Sequence, residues 1–300
     1  MALRFVCSAL LLITVPAWQH HQQSPPVSPL NRVNIAGPLG EASRKAAALL
    51  IASTLLPQKA QASRMRMSTG STNEVVDVVE GIRQKRLGSG DIFVSEIGLG
   101  TQRWVSDDSN APNEQQCFAM MDRAILHGGV NLIDTAEQYP IPSSQKNPEG
   151  LVEKTIGKWM AQSKGRREKV VIATKITGGR NINRENLKTA CEASLQRLGT
   201  DYIDVYLLHW PARYTPQSNW GQSLEYAGEV EPYYKNNARF EEIVAGMGDL
   251  MKAGKIRGWG MCNDNCFGLT SSYYVAKAMG ISPPVCLQND YSILNRRIGR

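Results

Sequence analysis

The sequence predicts an α/β protein, a (β/α)8 barrel of the TIM type with about six of its eight strands in this chain and a β-hairpin ahead of them. From Val94 onward, strand-like and helix-like segments alternate at about 30 to 40 residues per unit, the spacing of βα units. The strand-like segments are continuously apolar, as in parallel sheets covered on both faces. Nearly every one ends in a polar side chain, namely Asp134, Lys175, His209, Asn263 and Gln288, as happens when all strand ends meet at one barrel mouth. An open doubly wound sheet is the alternative, and it needs a glycine fingerprint after its first strand. "GLGT" supplies Gly98 and Gly100 but no third glycine and no immediate helix, so the barrel is preferred.

The elements follow in order. "IRQKRLGSGDIFVSEIG" places two short apolar stretches about Gly88-Ser89-Gly90-Asp91, which suits a hairpin closing the barrel floor. "SEIGLGT" is the first barrel strand, and "NEQQCFAMMDRAILHGG" is a helix with Phe118, Met121, Ala124 and Ile125 on one face. Then come "NLIDTA" with helix "EGLVEKTIGKWMAQS", "VVIATK" with "RENLKTACEASLQRLGT", and "YIDVYLLHW" with "RFEEIVAGMGDLMKAGK". "IRGWGMC" with "LTSSYYVAKAMG" and the strand "PVCLQND" complete the set. The connection Pro211–Ala238 is long and rich in Trp and Tyr, the character of an active-face loop that covers substrate.

Residues 1–62 are set apart from the domain. Met1–Ala17 carries Arg4, the apolar run Leu10–Val15 and small residues after it, the grammar of an export signal. A second apolar run, Ala46–Leu56, follows Arg44-Lys45 and precedes Ala60-Gln61-Ala62. Both runs are shorter than the roughly 18 residues that span a bilayer, so no stable membrane span is expected. Two signals in series resemble the leaders of algal plastid proteins, with Trp18 at the first cleavage point; plastid, and within it the thylakoid lumen, is the expected destination, and secretion is the alternative. Residues 63–80 are expected to be a flexible segment and 81–300 the folded domain. The leader holds five basic residues and one acid of the chain's 34 and 27. The remainder is therefore near neutral with scattered arginines, which excludes nucleic acid as an expected partner. Six cysteines without a CxxC pair signal neither a disulfide framework nor a zinc site.

The strand-end residues have structural alternatives: an Asp-Thr after a strand caps helices, and a lone lysine or histidine is more often a loop or core residue. Together, Asp134, Tyr139, Lys175 and His209 have a chemical purpose. Tyrosine is a poor acid at neutral pH, and an adjacent ammonium is expected to favour the phenolate and lower its pKa. A buried lysine needs a counter-charge, which Asp134 can supply. His209 can hold a carbonyl oxygen beside the tyrosine hydroxyl. The set would protonate an oxygen while hydride reaches carbon, and nicotinamide is the usual hydride source.

"GVNLIDTAEQYP", "VVIATK", "SLQRLGTDYIDVYLLHWP", "MKAGKIRGWGMCND" and "LQNDYSILNRR" resemble the aldo-keto reductases, in particular their Tas-like branch with plastid relatives, over about Arg86–Arg300. The resemblance implies that Asp134, Tyr139, Lys175 and His209 are the catalytic tetrad, with Tyr139 the proton donor to a small-molecule carbonyl substrate. It implies a cofactor set of Gly100, Thr101, Cys262, Asn263 and Gln288, the last two holding the nicotinamide carboxamide. Cys262 stands where many members have serine, and a thiol is the weaker donor. NADPH as cofactor rests on the resemblance alone. Family members continue past the sixth strand, so the chain is expected to be part of a longer protein. The alternatives are a non-catalytic module whose bound cofactor reports redox state, as in potassium-channel β subunits, and an inactive fragment.

Overall fold

The computed structural model describes residues 10–13, 72–211 and 238–292. By contact the chain divides into Met1–Ala17 with Met65–Arg300, and Trp18–Arg64; every described element belongs to the first unit.

The sheet at its centre has the order β1-β10-β9-β8-β7-β6-β5, with β1 at Leu10–Ile13. Its parallel strands are β5 (Gly98–Gly100), β6 (Leu132–Asp134), β7 (Val171–Ile176), β8 (Ile203–Leu208), β9 (Ile256–Cys262) and β10 (Leu287–Asp290). Each pairs in parallel with the next in chain order, the connectivity of a (β/α) barrel wall. The helices between them are α1 (Glu114–Met121), α2 (Leu151–Ala161), α3 (Arg184–Leu198), α4 (Phe240–Lys252) and α5 (Cys266–Ala278). Asn113, Asn183 and Asn265 cap α1, α3 and α5 by accepting a backbone N–H with the side chain, which satisfies donors the helix itself cannot.

Side-chain alternation along the strands builds two cores. Ile133, Ile172, Tyr206 and Leu208 face the helices, with Trp159, Leu187 and Met247. Leu132, Val171, Ala173, Val205, Leu207 and Cys286 form the other cluster, with Leu87, Ile92 and Val94 from the hairpin. This second cluster is the barrel interior. The cavity that its residues line beneath Asp134 and Gln288 has a volume of about 10 Å³, too little to hold a water comfortably. Its strand rows continue two residues on into polar side chains: Leu132 to Asp134, Ala173 to Lys175, Leu207 to His209, and Cys286 to Gln288. The site is thus the last layer of a packed core.

The expected hairpin is present as β3 (Ile82–Arg86) against β4 (Phe93–Ser95). Within the segment expected to be flexible, Val75–Val79 forms a further antiparallel strand, β2. Glu80 and Gly81 both adopt positive φ, +49° and +80°, the geometry of a tight type I′ hairpin turn, and the valines favour extended backbone. Within the expected leader, Leu10–Ile13 forms β1, which runs antiparallel along β10. The helix after β5 changes to a π-helix at Asp122–Leu126. Residues 212–237 of the connection expected to cover substrate lie outside the described residues.

Candidate active site

Asp134 ends β6, Lys175 lies next to last in β7 and His209 directly follows β8. Tyr139 follows β6 in a turn tied back by its own N–H to the Ala136 carbonyl and by Gly150 N–H to its carbonyl. The structure brings all four together. Lys175, only 1% exposed, donates to Asp134 Oδ1 at 2.6 Å, the Thr135 carbonyl at 2.8 Å and the Tyr139 hydroxyl oxygen at 3.5 Å. Those are acceptors for all the protons an ammonium carries. Because Lys175 donates to the phenol oxygen, the phenol proton must point elsewhere.

The electrostatics correct one expectation. Burial pushes the Tyr139 phenol up to about 12, outweighing the opposing pull of the Lys175 ammonium. The phenol is therefore held protonated, because a buried phenolate loses more hydration than one ammonium at this distance returns. For Lys175 burial alone would lower the pKa, but Asp134 and then Tyr139 outweigh it and the net direction is up. His209 is driven well below its ordinary value, first by burial and then by repulsion from Lys175, so its imidazole is neutral. Its ring meets Tyr139 edge-on at 5.8 Å between centroids, and its Nδ1 is buried with no hydrogen-bond partner. An orphaned ring nitrogen beside a phenol is a place for a ligand polar atom.

The residues expected to hold cofactor gather at the same mouth. Gly100 is exposed at the end of β5, and a Cβ there would meet nothing within 4 Å. Thr101 is buried and its hydroxyl donates to the Asp134 carbonyl at 2.8 Å; in this structure it braces β6. Asn263 has φ +55°, which asparagine tolerates better than most residues. Its Nδ2 donates to the His209 carbonyl at 2.9 Å, and its N–H donates to the Gln288 carbonyl at 2.9 Å. Cys262 and Gln288 are buried side by side on β9 and β10. Two primary amides, each both donor and acceptor, are a donor set that suits a carboxamide. Among the described residues no cluster could hold a metal ion. A groove of about 830 Å³ lies on the outer layer between α3 and α4 among charged residues such as Arg184, Lys188 and Asp249, and contains none of these groups.

Other supports were not visible in the sequence. The Glu137 carboxylate accepts from Thr177 N–H at 2.6 Å, and Glu137 N–H donates to the Lys175 carbonyl at 3.2 Å, which ties the Tyr139 turn to β7. Trp210 stacks on His209 at 6.3 Å, and a Cβ on Gly178 would come within 2.2 Å of Trp210 Cβ. The Gly178-Gly179 pair was the available signal, since glycine marks close backbone approach.

A parallel βα sheet whose strand ends deliver an aspartate, a lysine and a neutral histidine to a buried tyrosine defines a barrel protein with a cluster of ionisable groups at its mouth. The chain belongs to the aldo/keto reductase family, whose model matches residues 96–300. It is 34% identical over 222 residues to Protein tas of Escherichia coli, covering 70% of this chain and 60% of that protein. It is also 34% identical over 175 residues to the Escherichia coli methylglyoxal reductase YeaE (58% and 48%), and 35% identical over 140 residues to an aldo-keto reductase of Babesia bovis (43% and 49%). The chain thus spans 60% or less of the length of these relatives.

Proposed function

We propose that the protein reduces aldehydes or ketones to alcohols with NADPH, and that Tyr139 is the proton donor. The observation that carries this reading is the Lys175 ammonium set between Asp134 Oδ1 at 2.6 Å and the Tyr139 oxygen at 3.5 Å, with the unpartnered His209 Nδ1 beside them. A bound reduced nicotinamide supplies hydride to the carbonyl carbon. The chain's part is to hold and protonate the oxygen. Neutral His209 donates to the carbonyl oxygen from its protonated ring nitrogen, and the Tyr139 proton passes to that oxygen as the C–O π bond breaks. The phenolate left behind lies against Lys175, and Asp134 keeps that ammonium charged and in place. Asn263 and Gln288 are the groups that would receive the carboxamide, and Gly100 leaves room for the ring.

NADPH in preference to NADH follows from family resemblance, and so does the wider substrate class. The relative named methylglyoxal reductase makes methylglyoxal the first carbonyl to try. We further propose that residues 1–62 direct the protein to a plastid, on the strength of the paired apolar runs in the sequence.

Tyr139→Phe removes one proton donor and little shape, so carbonyl reduction should fall about a hundredfold or more while NADPH fluorescence quenching persists. Turnover of nitrobenzaldehyde or methylglyoxal within roughly tenfold of the unmodified chain would overturn the assignment.

A further inference from the structure

Cys262 and Gln288 lie opposite each other on the parallel pair β9 and β10. The Cys262 thiol donates to Gln288 Oε1 at 3.2 Å and accepts from Asn263 Nδ2 at 3.4 Å. The other end of the same amide, Gln288 Nε2, donates to Asp134 Oδ1 at 3.0 Å, and that oxygen also receives Lys175 at 2.6 Å. One unbroken run of hydrogen bonds therefore leads from the end of β9 through Gln288 to the Asp134–Lys175 pair and on to Tyr139.

We propose that Cys262 and Gln288 are a positioning pair for Asp134, in which the thiol anchors the carbonyl end of the Gln288 amide and the amide holds the carboxylate beneath Lys175. The proposal rests on the carbonyl-reductase reading above. An amide has two nearly isosteric orientations, and only one of them places N–H on the carboxylate; the other puts carbonyl oxygen against it. The carboxylate selects the first, and a thiol that donates to Oε1 fixes the far end of the amide in it. Burial keeps the thiol in its donating form by pushing it up to about 12, against the opposing influence of Lys175. Without that donor, Oε1 loses its partner on β9 and the amide is held at its carboxylate end alone. The Gln288 bond to Asp134 Oδ1 is then less firmly placed, and with it the aim of Lys175 at the phenol. Acting through Asp134, the Cys262 thiol should affect kcat, whereas the carboxamide contact assigned above to Gln288 would affect NADPH affinity.

The test uses the full chain with NADPH and methylglyoxal. Cys262→Ala should lower kcat about fivefold, the worth of one neutral hydrogen bond, with carbonyl KM changed less than about twofold and any rise in NADPH Kd smaller than the fall in kcat. Cys262→Ser, which keeps an O–H donor, should recover most of the loss. Cys262→Ala combined with Gln288→Leu should be no slower than Gln288→Leu alone, since both break one relay. A serine variant as slow as the alanine variant, additive losses, or a tenfold rise in NADPH Kd with kcat preserved would each overturn the pairing. An activity-independent reading is the infrared S–H stretch of Cys262, assigned by its loss in Cys262→Ser. It should move to higher wavenumber in Gln288→Leu, or in Gln288→Met should the leucine variant not fold, and an unmoved band overturns the thiol–amide bond. If the unmodified chain reduces no carbonyl, the reductase reading fails by itself and the infrared band still decides the relay.

Discussion

A tyrosine held up at about 12 by burial changes what pH should do to this site. In the reducing direction the phenol must carry its proton, so the rate should not fall until the medium approaches that value. We expect kcat/KM for aldehyde reduction to stay level from about pH 7 to about pH 10; a basic limb centred below about pH 9 would mean that Lys175 dominates after all. His209 gives the opposite limb. Its folded pKa is depressed below the ordinary 6.5, so the unfolded chain takes up a proton that the folded chain resists. No stability is lost on this account above the unfolded value, and stability declines as pH falls through and below it. Melting temperature should therefore drop between pH 7 and pH 5, and drop less in His209→Gln; an equal drop in both would show that other groups govern the acid side.

At the scale of elements, β9 is closely packed by its neighbours at its glycines. Its interior positions read Gly258, Gly260, Cys262, where the neighbouring strands carry valine and leucine. A Cβ on Gly260 would lie 2.7 Å from the Cys286 carbonyl oxygen, 2.7 Å from its sulfur and 2.7 Å from Leu207 Cδ2. Gly260→Ala should destabilise the fold by about 1 to 3 kcal/mol by overpacking, read as a lower urea midpoint at unchanged slope, whereas a neutral result would show that β10 can shift aside. These elements also mark how far the sequence could be read. The barrel strands and the placing of Asp134, Lys175 and His209 at their ends were legible because each apolar row ends in its polar residue, a pattern local to the chain. The strand Val75–Val79 was not, because its turn at Glu80-Gly81 depends on a positive φ at glutamate, which residue type does not announce. The bonds of Thr101 to Asp134 and Gln288 to Asp134 depend on which side chains the strand register brings together. The direction of the Tyr139 shift was hidden for a related reason, since depth of burial belongs to the whole fold.

At the scale of the whole molecule, the segment read as a leader and the segment that covers β10 are the same. Leu10–Ile13 pairs with Leu287–Asp290 in antiparallel register, and among the described residues nothing else pairs with that side of β10. A chain that begins at Ser63, as removal of a leader would leave, lacks β1, so the targeting reading and a structural role for β1 compete. The backbone groups of β10 on that side then have no partner within the described sheet, and unpaired strand edges invite association or local opening. The edge carries Gln288, so opening there would also disturb Asp134 through the amide at 3.0 Å. We therefore expect residues 63–300, prepared alone, to be poorly soluble or to melt without a sharp transition, and to quench weakly or not at all with NADPH. The full chain should melt more cooperatively. Light scattering and calorimetry on the two side by side decide it: a monodisperse 63–300 chain with a sharp melt and micromolar NADPH binding would show that β1 contributes nothing to holding the barrel wall together.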